Sequence, residues 1–307
     1  MAQAAQADAQ ALKEAMKGSG TNEASIIQIV AHRTNAQRQQ IKLEYKTMFG
    51  RDLIVDLKSA LHGKFEDAVV ALFSEPIEYD CDELRRAMKG FSTSEDIIIE
   101  ILASRPAPVL KKIIAKYQEK FNRNLEDDIK KETSGSLRHL LIALLQCNRS
   151  TVTNPEPGKC AKIAKEIYDA GEAKLGTDEA VFNKYFCMLS PQELARVSQE
   201  YHKLTGHTIL DAVKAEFSGN SKKALHAIVY ANLSPSEYFA TRIRDAIKGW
   251  GTRNKLLIRI IINRSEIDLP AIKQYYKQLY GKDMVEAIKD DIKGDYQKLM
   301  IELLSQS

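Results

Sequence analysis

The sequence predicts an all-α protein built from four repeats of five helices, and three observations lead there. A glycine-bearing loop closed by threonine occurs four times, as Met16-Lys17-Gly18-Ser19-Gly20-Thr21, Met88-Lys89-Gly90-Phe91-Ser92-Thr93, Lys174-Leu175-Gly176-Thr177 and Ile247-Lys248-Gly249-Trp250-Gly251-Thr252. Recurrence of this kind marks a repeat architecture, in which each small unit leans on its neighbours. Counting from the residue before each threonine (Gly20, Ser92, Gly176, Gly251), the position 30 further on is Gly50, Asn122, Gly206 or Gly281, always a residue suited to ending a helix. The position 40 further on is Ala60, Glu132, Glu216 or Asp291, a carboxylate in three of four. Between these markers the apolar residues follow helical spacing. The origins are 72, 84 and 75 residues apart, so each interior is fixed in length while the connectors vary.

Repeat one covers residues 1–75. Its opening helix is expected to reach Lys17, Gly18 to Gly20 turn the chain, and Thr21 is expected to cap a second helix over 25–31. A third helix follows Asn35 and ends at Phe49-Gly50, and a short fourth starts after Asp52. The fifth carries Phe65, Ala68, Val69, Leu72 and Phe73, the stripe of an amphipathic helix. Repeat two, 76–146, keeps this order, with Pro106 and Pro108 opening its third helix as proline allows. Residues 147–159, containing Asn154-Pro155-Glu156-Pro157-Gly158, form the longest breaker-rich stretch and read as a linker between halves of two repeats. Repeat three, 160–233, has the longer loop Gly171-Glu172-Ala173-Lys174-Leu175-Gly176. Repeat four, 234–307, ends on the stripe Tyr296, Leu299, Met300, Leu303 and Leu304. Its second helix holds Leu256, Leu257, Ile258, Ile260, Ile261 and Ile262 and is apolar nearly all round; Arg259, which interrupts it, needs a buried partner.

Composition removes several function classes. The 45 basic and 41 acidic residues are interspersed, for a net charge of +4, and the longest basic runs are pairs such as Lys111-Lys112. A nucleic-acid partner would call for clustered Lys and Arg with interleaved aromatics. Cys81, Cys147, Cys160 and Cys187 form no CxxC pair and read as reduced thiols of a cytoplasmic protein, although a Cys147 to Cys160 link is conceivable. No secretory signal and no transmembrane stretch is visible, so any membrane association is peripheral. The six histidines show no zinc spacing, and no nucleophile, phosphate-cradling loop or acid/base pair stands out, so an enzyme is not expected.

The loops themselves point to a cation. Glycine permits the φ > 0 geometry in which several carbonyl oxygens face one way, and hard cations such as Ca2+ are bound by oxygens of this kind. One acid brought in from elsewhere completes such a cage. A plain helix end followed by a threonine cap accounts for the loop but not for the acid 40 residues on.

These loops, the acid at fixed distance, the five helices and the fourfold array with its long connector resemble the annexin family. Further support lies in Ser104-Arg105, Glu132-Thr133-Ser134-Gly135 and Asn263-Arg264-Ser265-Glu266-Ile267-Asp268-Leu269, and the resemblance covers essentially the whole chain. It implies four repeats in a curved disc, with calcium held on the convex face between loop carbonyls and a bidentate carboxylate. Carried over by position, it implies a site in repeat four from the carbonyls of Ile247, Gly249 and Gly251 with Asp291, and one in repeat three from Gly171, Lys174 and Gly176 with Glu216. Repeat two offers Met88, Gly90, Ser92 and Glu132, where Ser92 replaces a glycine and is expected to be strained if φ must be positive. Repeat one has Ala60 at the acid position, so no full-strength site is expected there; the Thr21 carbonyl and Glu23 are candidates for a lesser one.

The function this implies is calcium-dependent binding to anionic, phosphatidylserine-like phospholipids, with self-assembly on lipid left open. The apolar loop tips Phe91, Leu175 and Trp250 are candidate membrane contacts; alternatively Trp250 and Phe91 pack under neighbouring helices. Asp80, Glu83, Glu100, Arg105, Arg259, Arg264 and Asp268 match a polar central passage, and their plainer reading is a buried salt-bridge network. The competing functional reading is a calcium-independent helical scaffold for protein partners.

Overall fold

The computed structural model describes residues 2–306 except Ser19, Phe91 and Trp250. Among the described residues every regular element is a helix, five to a repeat. Repeat one holds α1 (Ala2–Ala15), α2 (Glu23–Ala31), α3 (Asn35–Phe49), α4 (Leu53–Ala60) and α5 (Gly63–Leu72). Repeat two holds α6 (Pro76–Ala87), α7 (Glu95–Ser104), α8 (Ala107–Phe121), α9 (Leu125–Glu132) and α10 (Gly135–Leu145). Repeat three holds α11 (Pro157–Ala170), α12 (Glu179–Met188), α13 (Pro191–Thr205), α14 (Ile209–Glu216) and α15 (Gly219–Leu233). Repeat four holds α16 (Pro235–Ile247), α17 (Asn254–Arg264), α18 (Leu269–Tyr280), α19 (Met284–Asp291) and α20 (Gly294–Ser305).

Local signals set the ends. Gly50, Asn122, Gly206 and Gly281 terminate the third helix of each repeat in the left-handed region, with φ of 64°, 51°, 77° and 66°. Thr34 and Ser190 close capping boxes with Gln37 and Glu193 at the starts of α3 and α13, each worth about 1 kcal/mol. Two boundaries differ from the sequence reading. α1 stops at Ala15 rather than Lys17, and α2 is capped by Asn22, whose side chain accepts from the Ser25 N–H at 3.0 Å. Thr21 lies one residue outside the helix, and its hydroxyl donates instead to the Ala60 carbonyl at 3.1 Å.

The segment read as a linker is fixed in place. The Ser150 N–H donates to the Met188 carbonyl at 2.7 Å, the Ser190 hydroxyl to the Val152 carbonyl at 2.6 Å, and the Arg149 guanidinium to the Phe186 carbonyl at 2.9 Å. α11 already begins inside it, at Pro157. Cys147 and Cys160 at its two ends are separate buried thiols.

The chain forms two compact units, Met1–Tyr79 with Phe239–Ser307, and Asp80–Tyr238. Repeat one therefore groups with repeat four and repeat two with repeat three, which differs from the halves suggested by the breaker-rich stretch. In the first unit α2 packs on α20 and α17 on α5, burying Ile26, Val30, Leu72, Leu257, Ile261 and Leu299 completely. Each such side chain contributes about 1.5–3 kcal/mol. In the second unit α7 packs on α15 and α10 on α12, and Phe182 meets Phe186 and Phe217 edge to face with centroids 5.7 and 5.0 Å apart.

A polar clamp joins repeats one and four within the first unit. Glu266 accepts from the Asn35 N–H at 2.6 Å and from Arg38 Nη2 at 3.0 Å, while Arg38 also donates to the Leu72 and Val30 carbonyls at 2.8 and 2.9 Å. Arg38 is almost fully buried, so its loss strands those acceptors away from water. Arg38→Met is expected to lower the unfolding free energy by roughly 2–4 kcal/mol in urea denaturation, and a loss near zero would show the clamp to be dispensable.

Candidate metal centres in the repeat loops

One backbone bond closes each loop. The N–H two positions past the origin donates to an alanine carbonyl at or beside the end of the preceding helix: Asn22 to Ala15 at 2.8 Å, Ser94 to Ala87 at 2.9 Å, Asp178 to Ala170 at 2.7 Å and Arg253 to Ala246 at 2.8 Å. The few residues in between must turn sharply, and Gly176 and Gly251 do so at φ of 82° and 84°, where a side chain would be strained. Loops one and two are left-handed at Gly18 and Gly90, with φ of 99° and 128°, but not at the position before the threonine. Among the described residues the non-glycines with positive φ are Asn122 and Cys147, so Ser92 carries no such strain, and Gly20 is not left-handed either. The strain expected of Ser92 is thus absent because the loop around it takes another path.

The carboxylate that the spacing picks out is the last residue of the fourth helix, and the loop threonine holds it. Thr93 Oγ1 donates to Glu132 Oε2 at 2.9 Å, Thr177 Oγ1 to Glu216 Oε2 at 2.5 Å and Thr252 Oγ1 to Asp291 Oδ2 at 2.5 Å. Each bond spans 39 residues and occupies one carboxylate oxygen. In repeat three the carboxylate also lies against the loop backbone: a Cβ on Gly171 would come within 3.2 Å of Glu216 Cγ and Cδ and 3.0 Å of Phe182 Cζ. Glycine at that position leaves the room the acid needs.

The sequence-predicted groups therefore meet in three repeats. Loop four (Ile247, Gly249, Gly251) meets Asp291, loop three (Gly171, Lys174, Gly176) meets Glu216, and loop two (Met88, Gly90, Ser92) meets Glu132, each through its threonine. In repeat one Thr21 reaches only the backbone of Ala60. Leu175 at the tip of loop three is fully exposed. Phe91 and Trp250, the other two tip residues, lie outside the described residues. Among the described residues no three His, Cys, Asp or Glu side chains converge as a metal-ligating group. A cation at these loops would draw mainly on backbone carbonyls with a single carboxylate, a donor set that suits a hard ion and not a soft one.

Four of the charged residues matched to a central passage pair with one another inside their own units. Arg105 grips Asp80 through Nε and Nη2 at 2.7 and 2.9 Å, and Arg264 Nε meets Asp268 at 2.7 Å. Both pairs follow the plainer salt-bridge reading.

Two features escaped the sequence reading. One is the threonine–carboxylate bond, legible in the constant spacing between those residues. The other is a cluster beneath the loops of repeats one and two. Tyr45 Oη donates to Asp56 at 2.7 Å, Arg51 Nε meets both Asp56 oxygens at 2.9 and 3.0 Å, and Lys13 Nζ lies 3.3 Å away. Tyr117, Arg123, Arg85 and Asp128 repeat this arrangement. Hydrogen bonds from Arg51 above all hold the Asp56 carboxyl well below the usual carboxylate range, and Arg123 does the same for Asp128. In repeats three and four alanine, Ala212 or Ala287, stands where these aspartates are.

Comparison with known proteins follows the same fourfold division. The Annexin family model matches residues 7–72, 79–144, 162–228 and 238–303. Annexin A8 of Bos taurus is 44% identical over 298 residues, covering 97% of this chain and 91% of that protein. The solved structure of annexin III superposes with a TM-score of 0.94 at 37% identity, over 98% of this chain and 93% of that one. The calcium-bound structure of annexin (Sm)1 superposes with a TM-score of 0.86 at 32% identity, over 98% and 90%.

The Asp56 cluster makes a pH-dependent prediction. A carboxyl whose pKa is depressed on folding stabilises the fold above its unfolded value, and that contribution is lost as pH falls through the folded value. Asp56→Asn is expected to be less stable than the parent chain at pH 7, with the gap narrowing below about pH 4. Thermal melts across that range check it; a gap that does not change with pH would contradict the assignment.

Proposed function

The chain belongs to the annexin family, and from that premise we propose that it binds anionic phospholipid surfaces through calcium held at its repeat loops. The observation that carries this reading is the threonine-held carboxylate set against a glycine loop in repeats two, three and four. Among the described residues no helix is long and apolar enough to cross a membrane, so contact is made at the surface.

The chemistry follows from the donor count. A calcium ion held by one carboxylate and neutral carbonyls keeps excess positive charge and open coordination positions. A lipid phosphate or the carboxylate of a serine headgroup fills them. So few anionic ligands give weak affinity in solution, on the order of 10⁻⁴ to 10⁻³ M. Lipid raises that affinity, and calcium raises the affinity for lipid by the same factor. Several loops acting together add avidity without any new contact.

The repeats divide this work unequally. Repeats three and four have a left-handed glycine directly before the threonine together with the acid, and are the principal sites; Gly171, Lys174, Gly176 and Glu216 serve the first, Ile247, Gly249, Gly251 and Asp291 the second. Repeat two, with Met88, Gly90, Ser92 and Glu132, holds calcium more weakly because Ser92, directly before the threonine, is not left-handed as Gly176 and Gly251 are, although Gly90 is. Exposed Leu175 and its counterparts Trp250 and Phe91 enter the interface, each buried apolar tip contributing roughly 1.5–3 kcal/mol.

Sedimentation with phosphatidylserine vesicles at about 0.15 M salt tests the reading, since isolated charge contacts are screened there. Pelleting is expected with calcium and not with chelator, and pelleting that ignores chelator would sink it in favour of a calcium-independent scaffold. Combining Glu216→Ala with Asp291→Ala is expected to raise the calcium needed for half-pelleting by roughly tenfold or more, as loss of two of several linked sites does. Replacing Thr177 and Thr252 by valine, which frees the acids without removing them, is expected to give a smaller rise in the same assay.

A further inference from the structure

We infer that repeat one carries a pocket for a phosphate group that operates without a metal ion. Where repeats two to four place a carboxylate, repeat one has Ala60, and beside it lies a cavity of about 600 Å3. Its charged lining is Lys13, Lys17 and Arg51 against Glu23 and Asp56, with His62 also present. Gly18 and Gly20 form part of the wall, and a Cβ on either would meet nothing within 4 Å, so the loop side of the pocket is open.

Repeat two is the internal control for the charge argument. There Arg85 and Arg123 both bear on Asp128, at 3.5 Å for Arg85, and the charge of Glu132 reaches Arg123 as well, after that of Asp128. Two guanidinium groups thus face two carboxylates. Repeat one preserves the tyrosine, the aspartate and both cations but drops the second carboxylate, so Lys13 and Arg51 share Asp56 alone. Lys17 is 72% exposed and has only a loose contact, 3.7 Å, with Glu14. With Glu23 the only other carboxylate in the lining, the pocket has three cations against two carboxylates, an excess of one positive charge. Repeat two needs a bound cation before it can hold phosphate; repeat one has positive charge to spare.

Geometry favours phosphate over a generic anion. Arg51 spends Nε and Nη2 on Asp56, which fixes the plane of the guanidinium and leaves Nη1 directed away from that pair. A planar, prepositioned guanidinium with a flexible ammonium nearby suits the several oxygens of a phosphate mono- or diester. The ligand occupies, relative to Arg51, the place Glu132 has relative to Arg123. Such a group comes either from a lipid headgroup or from a soluble phosphate. This inference does not depend on calcium binding elsewhere in the chain.

The test is run in chelator at about 20 mM salt, where a single charged site is little screened. The full chain is titrated in parallel with inorganic phosphate, followed by amide chemical shifts of repeat one, and with vesicles containing phosphatidic acid, followed by sedimentation. Binding to both identifies the phosphate itself as the recognised group, and binding to vesicles alone identifies the lipid-borne form; either supports the pocket. Ala60→Glu restores the missing carboxylate and is expected to weaken chelator-resistant binding by about fivefold or more, the effect of one like charge close by. The same variant is expected to lower the calcium needed for pelleting at higher salt. Lys17→Gln, which leaves the Asp56 cluster intact, is expected to weaken phosphate binding without that gain. No binding of either probe in chelator, or binding that Ala60→Glu leaves unchanged, would overturn the inference. The calcium reading fails by a different sign, pelleting at about 0.15 M salt that ignores chelator.

Discussion

A hydroxyl reaching 39 residues along the chain closes each repeat, and the rest of the site depends on that contact. The loop between the first and second helices and the end of the fourth helix are far apart in sequence. Their approach is fixed by packing of the intervening helices, and the threonine converts that approach into a defined orientation of one carboxylate. A carboxylate at a helix end is otherwise a mobile, hydrated group. Held by one oxygen beside the glycine loop, it is the carboxylate of the cation site proposed above, whose remaining donors would be backbone carbonyls.

The same closure explains why the four repeats are not equivalent. Where alanine replaces the acid, the threonine turns to the backbone carbonyl at that position, and the loop remains folded without a charge to offer. Repeats one and two instead keep a tyrosine–aspartate–arginine cluster one helical turn earlier, whereas repeats three and four have alanine there. Each compact unit contains one repeat of either kind, the first and fourth in one, the second and third in the other. The division between repeats that keep this cluster and repeats that do not is therefore present in both units.

Much of this is legible in the sequence. The helix stops at Gly50, Asn122, Gly206 and Gly281 are all left-handed, because the residue types suited to that geometry are few. The acids Glu132, Glu216 and Asp291 stand beside their loops as the constant spacing indicates. Other features depended on side-chain choices that a spacing rule does not weigh. Thr21 has the chemistry of an N-cap, but α2 starts at Glu23, so Asn22 takes that role while the threonine hydroxyl donates to Ala60. The breaker-rich stretch around Asn154 looks like a flexible divider, yet its carbonyls and N–H groups find partners on the neighbouring helix ends, so it belongs to a compact unit. Ser92 stands where the other loops have glycine, which predicts strain, whereas its φ is not positive and the strain is absent.

The central claim is that protein oxygens hold a divalent ion incompletely, so that lipid and metal bind as partners. Calorimetric titration of calcium into the full chain, alone and with soluble short-chain phosphatidylserine, tests this most directly. The account predicts weak affinity for calcium alone and a marked tightening with lipid, matched by an equal tightening of lipid binding when calcium is present. Calcium affinity that is unchanged by lipid would contradict it.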